Sequence, residues 1–295
     1  MKASANGVSI SRTRCFRIVC VVMAALSCSC SPQPSLYVSN GLQMPFLRDQ
    51  GDIRASLAGE SAINSTGGGA NTFNIQAAYA LTSQFGFIGS LLYSGTGGDT
   101  TYSKNLFGEI GFGYHEMFDA YGHFEIFGGF GYGSVNNVWS SSSAKAEFFG
   151  PPPDSNVFSK YHQSAKYLRP FVQMDFGAEG TVAAIGIGLR IGFVNVPTET
   201  EVQTTLHGFA FDPSTQMYLY AIGPTTTTTG SASAFFIEPS LVARIGYDPL
   251  KVYFQWTHPG ILGIHSPFIY SDIGVLSIGI VARVQTLFSK NDENK

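Results

Sequence analysis

The chain has 295 residues, of which 13% are charged and 14% aromatic, with 34 glycines and a formal net charge of −3. That charge share is about half the usual 25%, which excludes an ordinary soluble domain, whose surface needs more. Past residue 30 no apolar run reaches the roughly 18 residues of a membrane-spanning helix, and no basic surplus points to nucleic acid.

The first 29 residues read as an export signal of the lipoprotein type. Lys2, Arg12, Arg14 and Arg17 form a basic start, and no acidic residue occurs before Asp49. Ile18 to Leu26 is an apolar stretch too short to span a membrane. It is followed by Ser27-Cys28-Ser29-Cys30-Ser31-Pro32. Ala25-Leu26-Ser27-Cys28 and Ser27-Cys28-Ser29-Cys30 each resemble a lipobox, so Cys30 or Cys28 is the expected site of an acyl (palmitate-type) anchor. Leu26 lies two residues before Cys28 and four before Cys30, whereas a lipobox places it three before. All four cysteines (Cys15, Cys20, Cys28, Cys30) fall in this region, so the body has no disulfide, thiol nucleophile or Cys-ligated metal. Losing four basic residues with the signal takes the net charge from −3 to −7.

Residues 30–51 read as a polar, Pro-containing periplasmic tether. Ten strands are then predicted: 52–60, 71–81, 84–94, 104–115, 121–134, 167–178, 182–194, 233–246, 250–257 and 272–287. Long connections (61–70, 95–103, 135–166, 195–232, 258–271) alternate with short ones (82–83, 116–120, 179–181, 247–249). Short periplasmic turns and longer extracellular loops are the habit of outer-membrane barrels. The pattern predicts an all-β, antiparallel, up-and-down transmembrane β-barrel over 52–288, with both termini periplasmic and a polar tail at 289–295.

The strands alternate faces as such a barrel requires. Leu276, Ile278 and Ile280 oppose Ser277, Gly279 and Arg283; Phe235, Leu241 and Ile245 oppose Glu238, Ser240 and Arg244; Ile185, Ile187 and Ile191 oppose Gly186, Arg190 and Gly192. A charge facing lipid near the midplane costs on the order of 2–4 kcal/mol, so the charged face points inward. A soluble sandwich also alternates, but its exposed face carries far more charge than these Gly- and Ser-rich rows. Aromatics recur at two depths. Tyr79, Phe85, Tyr114, Phe124, Phe176, Tyr247 and Phe288 stand at the short-turn ends, and Phe73, Tyr93, Tyr132, Phe193, Phe235 and Trp256 at the other, the expected interfacial girdles.

Three segments carry a resemblance. Tyr37 to Leu47 (YVSNGLQMPFL) with Gln50-Gly51-Asp52, Asn74 to Ala80 (NIQAAYA) and Phe107 to Tyr114 (FGEIGFGY) resemble outer-membrane β-barrel (lipo)proteins of a Bacteroidetes-type family with no established activity. The likeness spans most of residues 30–288 and implies a fold and a location, not a reaction. The polar tail after Phe288 departs from barrels that end on an aromatic. Outer-membrane lipid, the barrel-assembly and lipoprotein-processing machineries and an unidentified extracellular partner are the expected partners, without nucleic acid, cofactor or metal. Asp99-Thr100-Thr101 resembles an O-glycosylation sequon of that phylum.

Ten charges are expected in the lumen: Arg54, Arg169, Arg190, Arg244 and Arg283 against Glu60, Glu109, Glu125, Asp175 and Glu238. Five of each sign in a narrow interior predict ion pairing and an occluded polar core, since small barrels fill with side chains. The expected role is a structural or surface-interaction scaffold acting through its extracellular loops, not an enzyme. A narrow channel or transporter for a small solute is the alternative. A barrel-rim hydrolase, using His258, His265 and Asp272 of one loop region, is remote: no spacing that a mechanism requires is present.

Overall fold

A computed structural model describes residues 39–62, 71–97, 102–143, 157–212, 217–262 and 274–285. The elements are β1 (Ile53–Ala62), β2 (Asn71–Ala80), β3 (Phe85–Gly97), β4 (Tyr102–Phe118), β5 (Gly122–Ser143), β6 (Val157–Glu179), β7 (Ala183–Asp212), β8 (Met217–Tyr247), β9 (Leu250–Thr257), β10 (Gly260–Leu262) and β11 (Val275–Arg283). Each pairs antiparallel with its chain neighbour from β1 to β9. β11 pairs with both β9 and β1, so the sheet closes on itself. β10 continues the register of β9 on β8, Ser240 facing Thr257 and Ile237 facing Gly260. The His258 amide donates to the Pro239 carbonyl between them. The ring is therefore ten strands wide, as expected, although eleven segments are distinguished. No described helix is long and apolar enough to cross a membrane.

The faces divide as the alternation predicts. Phe235 is 61% exposed and Ile245 61%, while Glu238 between them is at 0%. Exposed apolar side chains recur on the outer wall of nearly every strand, a surface far larger than the few hundred Å² a soluble monomer leaves bare. The girdles take shape as cross-strand ring pairs. Phe85 meets Tyr114 at 5.9 Å and Phe124 meets Phe176 at 4.8 Å at the short-turn end; Phe193 meets Phe235 at 5.1 Å at the other.

Strand length departs from expectation. Residues 135–166 and 195–232 were expected as long loops, but β5 and β6 stay paired as far as Ser143 and Val157, and β7 and β8 as far as Asp212 and Met217. The apolar-polar contrast marks a strand only where one wall meets an apolar phase. Beyond it the outer face turns polar while the inner one mixes polar with apolar residues such as Val135 and Trp139, so the period-2 signal fades; β-branched residues such as Thr225 to Thr229 keep the extended backbone favourable. The β7–β8 register shifts between Val196 and Glu199. Pro197 sits there, and without an N–H it cannot join the ladder.

Candidate functional site

The feature that sets the barrel apart lies in its lumen. Residues 39–48, expected as part of a periplasmic tether, run through the interior from mid-height, where Ser39 bonds Glu238, to the short-turn rim, where the Arg48 amide meets Asp52. Ser39, Asn40, Leu42, Gln43, Met44, Phe46 and Leu47 are all buried. The tether expectation is corrected for this stretch. It carries no alternation because it pairs with no strand, and its partners lie far away in the chain.

An extended segment without a strand partner must have its peptide groups satisfied by side chains. The wall supplies them. Gln76 Nε2 donates to the Gly41 carbonyl (2.8 Å) and Gln255 Nε2 to that of Leu42 (2.9 Å). Gln173 and Arg244 serve the Gln43 and Met44 carbonyls, and Arg54 Nη2 that of Phe46 at 3.2 Å. Amides find carboxylates: Gly41 N donates to Glu60 Oε1 (3.1 Å), and Phe46 N and Leu47 N to the two oxygens of Glu125 (3.2 and 2.7 Å).

Phe46 anchors the lower half. Its ring stacks on His123 at 5.3 Å, with the Arg244 guanidinium 4.6 Å from its centroid. Gly177 and Gly186 leave the recess: a Cβ at either would lie 2.5 Å from the ring's Cζ. Phe46 adopts φ +54°, a left-handed conformation that costs a bulky residue about 1–3 kcal/mol. The bonds on both sides of it hold that conformation. Gly186→Val should therefore expel the ring and destabilise the barrel by about 1–3 kcal/mol. A thermal melt in detergent checks this, and adding Phe46→Ala should recover part of the loss; an unchanged melt for the single variant would contradict the packing.

Above it, Asn40 enters a charged cluster. Its Nδ2 donates to Glu109 Oε1 (2.9 Å) and Ser90 Oγ (3.1 Å), and its Oδ1 accepts from Arg190 (3.0 Å) and Arg169. Glu109 bridges Arg169 (2.6 Å) and Arg190 (3.1 Å), and Arg190 reaches Glu238 at 3.7 Å. Toward the long hairpins the cluster is roofed by aromatics. Phe107 and Tyr167 stack at 5.7 Å, and Arg169 lies 4.1 Å over Phe107 and 5.4 Å over Phe236. At the short-turn rim a second cluster joins Arg54 to Glu179 (2.9 Å) and Asp52 (3.3 Å), Lys251 to Glu179 (2.9 Å), and Arg283 to Asp52 (2.9 Å).

The ten charges named from the sequence thus fall into distinct roles. Glu109, Glu238, Arg169 and Arg190 form one cluster, and Arg54 and Arg283 belong to the rim. Glu60, Glu125 and Arg244 hold the threaded backbone instead, and Asp175 accepts from Gln173 Nε2 at 2.6 Å. Sequence reasoning missed Asn40, Asp52, Glu179, Lys251 and the three glutamines. Glu179 falls in the predicted turn 179–181, and the glutamines carry no charge that would mark them.

The His258, His265 and Asp272 group is not brought together among the described residues. His258 stacks on Trp256 at 5.8 Å, and the other two lie outside those residues, as do Cys28, Cys30, Asp99 and Phe288. No described group of three His, Cys, Asp or Glu side chains is arranged to hold a metal ion.

No protein-family model matches the chain, and no curated protein does. Solved structures that align over most of it are β-barrels of outer membranes. The translocator domain of the autotransporter NalP from Neisseria meningitidis is 11% identical, covering 80% of this chain and 90% of that one with a TM-score of 0.40. The outer membrane protease OmpT from Escherichia coli is 12% identical, covering 78% and 96% with a TM-score of 0.41. A TodX mutant, a monoaromatic hydrocarbon channel, is 11% identical, covering 83% and 91% with a TM-score of 0.37. A translocator, a protease and a channel are too distant, and too unlike one another, to say what this chain does.

Proposed function

We propose that the chain is an outer-membrane β-barrel sealed by its own segment 39–48, a scaffold that presents the β5–β6 and β7–β8 hairpins to an extracellular partner. The observation that carries this reading is the capture of the threaded backbone: Gln76, Gln173, Gln255, Arg54, Arg244, Glu60 and Glu125 each spend a side chain on it. A lumen built for solute would leave such groups for the solute. The exposed apolar wall between two aromatic girdles supports a membrane setting, and the export signal expected at residues 1–29 supports the outer one.

On this reading the short turns and the C-terminal strand end face the periplasm. A lipid on Cys30 or Cys28, and with it a periplasmic N-terminus, remains part of the proposal; both cysteines lie outside the described residues. An epitope inserted within 225–229 should be labelled on intact cells, while one at 117–119 should not. Labelling of 117–119 alone would reverse the barrel.

A second reading, a narrow channel opened when segment 39–48 is displaced, is favoured by the left-handed φ of Phe46. Strain held at one residue is what a two-position segment uses.

A further inference from the structure

We infer that the outer wall of β4 to β7 carries a site for the phosphorylated sugar headgroup of an outer-leaflet glycolipid. This rests on the membrane reading above and adds a ligand to it. A depression of about 560 Å³ lies on the wall between Tyr93 and Lys104 on one side and Lys166 and Pro197 on the other, floored by Ser134 and Ser164.

Three observations point to the ligand. The first is height. Leu106 and Leu168 are exposed apolar side chains of the outer belt, and Lys104 and Lys166 are the next outward residues on the same strands. Both amines thus stand where an acyl phase gives way to headgroups. The second is register. Lys104 faces Asn136, Ser134 faces both Leu106 and Lys166, and Lys166 faces Thr198. The two lysines are therefore two strands and about 10–12 Å apart at the backbone, close enough for both side chains to reach one phosphate-bearing headgroup.

The third is the sign of the charge. Across 102–143 and 157–204, the outward residues beyond the belt with described side chains include Lys104, Lys160, His162 and Lys166 and no carboxylate. Glu199 and Glu201 face inward, on the side of buried Gln163. At the opposite rim the exposed charges include Glu116 and Asp119. A chain with a negative net charge thus gathers cations on one outward patch. Lysines attract a phosphate as point charges, the serine, threonine and asparagine side chains suit sugar hydroxyls, and the belt below receives acyl chains. The joint need for phosphate, hydroxyls and an apolar phase selects a lipid over free phosphate.

The test uses the full-length barrel in nanodiscs of a neutral phospholipid, titrated with a monophosphorylated glucosamine-disaccharide lipid and followed by native mass spectrometry. One-to-one retention is expected, about tenfold or more weaker for the dephosphorylated lipid and for the K104Q/K166Q double variant, and preserved in K104R/K166R. Both positions are exposed, so folding is unaffected. Equal retention of the two lipids, an unaltered K104Q/K166Q, or displacement of the lipid by inorganic phosphate at equal concentration would overturn the site. A barrel that does not enter nanodiscs at all would overturn the membrane reading, a distinct failure.

Discussion

Deleting residues 39–47 is expected to convert a barrel that is silent in planar bilayers into one that conducts. The segment occupies the lumen from mid-height to the short-turn rim, and its removal takes away the buried Leu42, Met44, Phe46 and Leu47 together. What remains at that level is a ring of Glu60, Glu125, Arg244 and the three glutamines, groups that water and ions enter readily once the backbone they held has gone. The Phe107–Tyr167–Phe236 layer still narrows the passage, so conductance should be small and should rise when Phe107→Ala is added. A synthetic peptide of residues 39–48 supplied in solution should close the pore again, because every contact it makes is noncovalent. The same deletion should lower the unfolding temperature, since buried charges lose their hydrogen-bond partners. A deletion variant that inserts and stays silent, with and without Phe107→Ala, would refute the sealing role and the second reading with it.

The other large effect is expected at Glu109. It bridges Arg169 and Arg190, both at 0% exposure, and accepts from Asn40. Glu109→Gln leaves two guanidiniums close together without the carboxylate between them. Breaking a buried ion pair by removing one partner costs about 3–5 kcal/mol, a large part of the stability of an ordinary domain. Urea unfolding of the detergent-solubilised barrel, followed by gel mobility, should show a markedly lower midpoint. The neutral quadruple variant Glu109→Leu, Arg169→Met, Arg190→Met, Glu238→Gln should recover much of the loss, because it removes the charges of the cluster as a set. If Glu109→Gln unfolds like the parent chain, the cluster is not a structural support. If the quadruple variant is as weak as the single, the loss comes from the contact with Asn40 and segment 39–48 instead.

The strands of the belt were legible because their signal is local. Between Val182 and Phe193, or between Phe235 and Tyr247, most residues report their own phase: apolar toward the outer wall, mainly Gly, Ser or a single charge toward the lumen, with Phe236 and Val242 as buried apolar exceptions. The girdles were legible for the same reason, as one aromatic per strand end. The upper hairpins were half legible. Beyond the belt the outer face is polar and the buried inner face mixes Asn137, Gln163 and Glu199 with Val135 and Trp139, so the contrast that identifies a strand weakens although the cross-strand pairing continues to Ser143 and Asp212.

The inward charges were legible as a set, but their partners were not. Arg244 was expected to pair with a carboxylate, yet it serves the Met44 carbonyl 200 residues away. Glu125 was expected to face an arginine, yet it accepts from two backbone amides. By itself the sequence determined a closed ten-strand antiparallel barrel, the face each belt residue presents and the interior position of its charges, because all three follow from period-2 geometry within a strand. Only the tertiary structure decided what fills the lumen. Segment 39–48 has no periodicity of its own, and its conformation is set by side chains from strands that meet only when the ring closes.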